Sequence, residues 1–352
     1  MSRAGLSVAR HAHGFSLVEL MVAMTLSLVL LAGALSILYT SKVTYTQNER
    51  IARLQEAGRT VVELILRDAR AAGYVGCSRP LSPNDYVNGL NNSATLLWNL
   101  GQPLFGFDTA PGAGGVWVPA LDAANVPNAA DDSDIVVVRS ARQGQPVFRT
   151  TAPVTNPLLP IQVRRATDVP VPVNTPLIIS DCRGASTFVA TAVATPTTTS
   201  ATIAHAASAG TPGNATASVT RGFEIGALVT PVQTIVYYVR NDPVTGLPAL
   251  WQRVGTAPPQ PLIEGVENMQ ITYGEDTTGD QLADSYVSAD MVMNWANVIS
   301  FSIAILVRSE EESGLDVDTR QYDLLGTKVG AFNDRRQRSV FTTTVTLRNV
   351  AT

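Results

Sequence analysis

The sequence is poor in charge and almost without histidine. Asp, Glu, Lys and Arg make up 15% of its 352 residues, against about 25% in an ordinary soluble domain, so part of the chain is not ordinary water-facing surface. Its 25 basic and 29 acidic residues leave a net charge of −4. No basic stripe gathers the cations, which argues against nucleic-acid binding by the folded domain. The three histidines, His11, His13 and His205, are too few and too scattered for a histidine-built zinc site or a Ser-His-Asp triad. G-x-S-x-G, G-x-x-x-x-G-K-[ST] and G-x-G-x-x-G are also absent, and Gly112-Ala113-Gly114-Gly115 is only a loop signal. With no constellation that carries catalysis and no cofactor motif, the chain reads as a non-enzymatic protein.

What is present begins at the N-terminus. Residues 1–14, MSRAGLSVARHAHG, lack the apolar core of a secretory signal peptide. The apolar run comes later: Leu20 to Ser41 contains 22 residues without a charge and is closed by Lys42. At about 1.5 Å per helical residue, that run crosses a hydrocarbon layer of roughly 30 Å. Arg3 and Arg10 would hold the preceding side in the cytoplasm and leave the rest of the chain outside. Glu19 is the anomaly, because an acid costs about 2.5–3.5 kcal/mol at a bilayer centre, and less near the interface. A cut between Gly14 and Phe15 would create an α-amino group four residues before Glu19, one helical turn away. Within one helix that amine would satisfy the acid. Between neighbouring helices the same pair would fix axial register, which apolar surfaces alone leave nearly free.

His13-Gly14-Phe15-Ser16-Leu17-Val18-Glu19, followed by the apolar run, resembles the class III signal of type IV pilins and pseudopilins. The resemblance implies that a prepilin peptidase of the inner membrane cleaves after Gly14 and methylates the Phe15 amine. It also implies that Glu19 pairs with the amine of an adjacent subunit during assembly.

Past the membrane run, Ile51, Leu54, Gly58, Val61, Ile65 and Ala72 recur at helical spacing among Arg50, Arg53, Glu56, Arg59, Glu63 and Arg67. One helix is expected from Phe15 to Ala72, with Gly73 as its C-cap. Its first half needs lipid or other helices all round, and its second half needs cover on one side. Five segments follow: a leader at 1–14, a transmembrane and assembly half of the helix at 15–41, an amphipathic half at 42–73, a variable loop- and strand-rich region at 74–220, and a C-terminal antiparallel β region at 221–352. Residues 78–134 read as loop with short strands, and strands are expected at 135–139, 177–180 and 187–190. Residues 184–220 carry no acid, Lys or Arg; β-hairpins with a solvated Thr face compete there with disorder. In the last third, alternation at 235–239, 269–273, 299–307 and 341–347 predicts an antiparallel meander with one buried face and the helical stripe as its lid. The fold class is α+β, a long N-terminal helical spine packed on an antiparallel sheet.

Pro261-Leu262-Ile263-Glu264-Gly265-Val266-Glu267-Asn268-Met269, Ile271-Thr272-Tyr273-Gly274, Trp295-Ala296-Asn297-Val298, and Phe341-Thr342-Thr343-Thr344-Val345 resemble the PilW-type minor pilins. That resemblance implies a pilin fold and a minor pilin of the type IV pilus, assembled at or near the tip. Its partners would be prepilin peptidase, other minor pilins, the major pilin and the inner-membrane assembly platform. Type II secretion pseudopilins of the J class share parts of this plan, and an adhesin-like tip domain is a further reading.

Cys77 and Cys182 are the only cysteines. In an exported domain one disulfide is the simplest assignment, and two buried free thiols are the alternative. Asp276, Thr278, Asp280 and Asp284 stand at positions one, three, five and nine of a calcium-loop pattern, but Val287 replaces the acid at position twelve. Weak Ca²⁺ binding and a solvated polar turn are both open at this point.

Overall fold

The computed structural model describes residues 16–76, 85–109, 114–142, 144–165, 169–181, 183–219, 221–312 and 316–350. Gly14, Phe15, Cys77 and Cys182 lie outside them. The chain divides into two compact units, Met1–Arg53 and Leu54–Thr352.

One helix, α1 (Leu17–Arg70), begins in the first unit and ends in the second. No proline interrupts it, and its hydroxyl residues bond back onto the preceding turn. Thr25 donates to the Val22 carbonyl at 2.9 Å, Ser27 to Ala23 at 2.7 Å and Thr40 to Ser36 at 2.9 Å, so these polar side chains carry no unmet donor into an apolar environment. The helix stops near the expected place. Gly73 adopts φ +73, a conformation glycine reaches without strain, and its N–H donates to the Arg139 carbonyl at 3.0 Å.

Among the described residues eighteen strands follow in chain order: β1 (Tyr86–Asn88), β2 (Leu104–Phe107), β3 (Ile135–Ala141), β4 (Phe148–Thr150), β5 (Ile161–Arg164), β6 (Pro176–Ser180), β7 (Ala185–Val189), β8 (Ala192–Thr197), β9 (Ser200–Ala204), β10 (Leu228–Asn241), β11 (Pro248–Val254), β12 (Gln260–Glu264), β13 (Val266–Glu275), β14 (Ser285–Val287), β15 (Val298–Arg308), β16 (Tyr322–Leu324), β17 (Thr327–Val329) and β18 (Arg338–Thr346). They form a 12-stranded sheet, a four-stranded sheet ordered β14-β13-β15-β18, and the small β16-β17 hairpin. The strand β10 organises the large sheet: its start pairs with β4 and β6, and its remainder with β3 and β11.

The expected meander is therefore two sheets rather than one. The strand at 235–239 lies in the large sheet, whereas 269–273, 299–307 and 341–347 fall largely in the small one. The physical reason is visible in β10, where both alternating sets are apolar. Ile235, Tyr237 and Val239 join the main core, while Val236 and Tyr238 face a second cluster with Phe107, Ile135 and Trp251. A strand buried on both faces has no solvated side, so it sits inside a larger assembly. The regions 74–220 and 221–352 consequently share a sheet through β10.

The main core takes Leu54, Val61, Ile65, Ala69 and Ala72 from the helical stripe and packs them with Val136, Tyr237, Met269, Phe301, Ile303 and Val345. The stripe residue Ile51 is 43% exposed, so cover begins one turn later. At 184–220 the hairpin reading holds for β8 and β9, which pair antiparallel. The side chains of Ala201 and Ile203 reach a third core with Phe148, Leu177, Phe188 and Phe223, which offsets the ordering entropy.

Candidate functional site

In the first unit, the side chains a water-soluble helix would hide are in the open. Leu17, Met21, Val29, Leu30, Leu35 and Leu38 are exposed, and no residue of the most apolar 18-residue stretch is buried. A continuous apolar surface of this length needs lipid or other helices. Glu19 sits in the first helical turn. Among the described residues it has no hydrogen bond or ion pair, and the next cation along the helix is Lys42, about 35 Å further on at helical rise. An acid there favours the helix N-terminus and is otherwise unsatisfied.

In the second unit, the last turns of α1 are fastened by polar as well as apolar contacts. Asp68 is buried on the apolar stripe, three residues after Ile65. The Tyr237 hydroxyl donates to Asp68 Oδ2 at 2.6 Å, and Gln252 Nε2 donates to the Tyr237 oxygen at 2.7 Å. Arg67 Nε completes the group at 3.1 Å from Asp68 Oδ1. Burial, and then the Asp68 carboxylate, push the Tyr237 hydroxyl well above its usual range, so it remains a donor. Asn349 Nδ2 caps the helix end by donating to the Arg70 and Ala72 carbonyls at 3.2 Å each. Sequence reasoning missed Asp68; its signal was an acid at a stripe position.

A second group missed in the sequence centres on Arg338, whose side chain has no exposed surface. Its Nε donates to Glu267 at 2.6 Å, and Nη1 and Nη2 donate to Asp334 at 2.6 and 2.7 Å. Asp318 lies 3.3 Å away, and the guanidinium stands 3.8 Å from the Phe332 ring centroid. The Arg338 hydrogen bonds hold the Asp334 carboxyl down at about 2. Burial works against the same fall at Asp318 and is outweighed by hydrogen bonds from Arg320 and Tyr322, again to about 2. Through these acids Arg338 joins β18 to β13 and to the chain between β15 and β18. Removing one member of such a group leaves buried charges unpaired, so it is a structural clasp.

The acidic loop is organised as a turn. Asp276 accepts from the Gly279 and Gln281 amides at 2.6 and 2.8 Å, Asp280 from Leu282 at 2.9 Å, and Asp284 from the Thr277 amide and hydroxyl at 2.7 Å each. Thr278 Oγ1 donates to Asp284 Oδ1 at 3.4 Å. Among the described residues no three His, Cys, Asp or Glu side chains gather as a group able to hold a metal ion. The sequence pattern for Ca²⁺ is thus met here by carboxylates capping their own backbone.

A buried acid also links the two sheets. Asp134 accepts from the Thr109 amide at 3.3 Å and from the Ile271 amide at 2.8 Å. Burial, then Asp108, raises its carboxyl well above the usual range. Asp108 itself is pushed up to about 6, first by burial and then by Asp290.

Comparison with known proteins bears on both ends of the chain. Residues 236–349 match a family model described as Type IV Pilus-assembly protein W. Residues 9–35 match the prokaryotic N-terminal methylation motif. A type IV-like pilin from Thermus thermophilus shares 17% identity over 51% of this chain and 87% of its own, with a TM-score of 0.22. No curated protein matches the sequence.

Proposed function

We propose that this chain is a type IV pilus minor pilin of the assembly protein W kind, and that it works by helix packing in the filament and not by catalysis. Its N-terminal apolar helix anchors it in a membrane, and its prepilin motif ties it to peptidase processing and to pilus components. In this reading the membrane is the inner membrane, with the β-rich unit on the periplasmic side before assembly. Prepilin peptidase cuts between Gly14 and Phe15, the new amine is methylated, and Glu19 of one subunit receives the amine of its neighbour. Other minor pilins, the major pilin and the inner-membrane assembly platform are its partners, at or near the pilus tip. The match to pilus-assembly protein W favours the pilus over a secretion pseudopilin.

The observation that carries the reading is Glu19, an acid in an exposed apolar helix without a partner among the described residues. Membrane acids are costly and are retained where they have a function. The mass of the membrane-extracted protein tests it. A chain starting at methylated Phe15 is expected, and a chain still carrying Met1 in a strain with active peptidase contradicts it.

A further inference from the structure

We propose that the cleft between the end of α1 and the turn at Trp295 binds a neutral saccharide, which would add glycan contact to the pilus role proposed above. The cleft measures about 740 Å³, within the roughly 300–1,000 Å³ of small-molecule sites. Among the described residues no Asp, Glu, Lys, Arg or His lines it, so none of these wall residues would hold a phosphate, a carboxylate or a metal cation.

Beside the hydroxyls of Tyr86 and Ser93, the polar side chains of the wall are amides: Asn88, Asn99, Gln102, Asn294 and Asn349. A carboxamide offers an acceptor and two donors, which complements neighbouring sugar hydroxyls that both donate and accept. Three of these groups are held in place with a valence to spare. Asn99 Nδ2 donates to Gln102 Oε1 at 3.0 Å, which fixes both side chains and leaves Asn99 Oδ1 and Gln102 Nε2 without a partner among the described residues. Asn349 Nδ2 is committed to the helix-end carbonyls, leaving its Oδ1 likewise. Two acceptors and one donor are thereby preorganised, which lowers the ordering cost of binding.

The apolar part of the cleft suits the carbon face of a pyranose. The Trp295 ring is fixed by Phe105 and Tyr273, each 4.7 Å away between centroids, and so is a rigid platform with an apolar body. Met293 stands on the rim and is 84% exposed. An extended peptide would also satisfy amides, but it would make little use of a flat indole beside them.

The test uses the full-length protein in a detergent without a sugar headgroup, probed with an array of neutral oligosaccharides, their sialylated and sulfated counterparts, and a capped pentaglycine peptide. Retention of at least one neutral oligosaccharide is expected. Gln102→Ala should weaken it about tenfold and Met293→Ala about threefold, each without a change in melting temperature. Because Met293 is exposed, its variant keeps the test valid if Gln102→Ala unfolds. No retained neutral sugar, retention equal in the Met293→Ala protein and in any folded Gln102→Ala protein, or retention of only charged sugars or the peptide would overturn the proposal. Glu19→Gln lies outside the cleft and should bind sugar normally whatever it does to pilus assembly, so the two readings fail separately.

Discussion

The Tyr237 hydroxyl and the Asp68 carboxylate are 2.6 Å apart, one from β10 and the other from the last turns of α1, with Gln252 donating to the same hydroxyl. This contact fastens the helix end to the large sheet where apolar packing alone would permit sliding. Asp68→Ala leaves a buried hydroxyl donor unmet and is expected to cost about 1–3 kcal/mol. Tyr237→Phe should cost a similar amount, because the carboxylate then keeps only Arg67. Urea unfolding should show the double variant costing less than the two singles added, and simple additivity would contradict the coupling.

At Gly58 the helix and β18 touch so closely that an added Cβ would meet the Phe341 ring. Alanine normally gains about 0.5–1 kcal/mol over glycine inside a helix. Here overpacking of about 1–3 kcal/mol should reverse the sign, so Gly58→Ala is expected to lower the melting temperature. In a Phe341→Ala background the same change should raise it. A stabilising Gly58→Ala in the native background would contradict this packing.

Helix α1 was legible because its two signals are local: a charge-free run of membrane length, then a stripe at helical spacing. Strand positions were legible for the same reason, from Ile299 to Val307 and from Phe341 to Leu347. Which strands share a sheet was not, since pairing of β10 with β3, β4 and β6 joins residues far apart in sequence. The apolar residues on both faces of Ile235–Val239 were the available clue. Glu19 was legible as a charge out of place, whereas Asp68, an acid at a stripe position, was missed because its partner Tyr237, and Gln252 beyond it, are far away in sequence. The Arg338 clasp draws acids from Glu267, Asp318 and Asp334, and no local pattern brings those together.

Stability should respond to pH through Asp108. Its folded-state value of about 6 lies above the roughly 3.9 of an unfolded aspartate. The folded state therefore binds the proton more tightly, and this contribution is complete below about pH 3.9 and is lost as pH rises toward 6. Asp108→Asn cannot ionise, so at pH 7 it should melt about 2–4 °C above the native protein. The gap should close by about pH 4. A gap that widens on acidification would contradict the assignment.

Cys77 and Cys182 lie outside the described residues, but their flanks meet. Ser180 Oγ donates to the Val75 carbonyl at 2.6 Å, and a Cβ built on Gly76 would lie 3.0 Å from the same hydroxyl. We therefore expect a disulfide between them, seen as an intact mass lower by two hydrogens than that of the reduced chain. Reduction should cost up to about 4.7 kcal/mol of stability on the chain-entropy model. Two free thiols in protein isolated from the periplasmic face would contradict it.

The central claim is that Glu19 is kept in the membrane helix to receive the amine of an adjacent subunit. Its most direct test is the amount of this protein in sheared pili from cells carrying Glu19→Gln, which preserves shape and removes the charge. At equal membrane levels and with normal cleavage at Phe15, the account predicts depletion of about tenfold or more, the loss expected from one charge-assisted contact. Incorporation at the native level would contradict it.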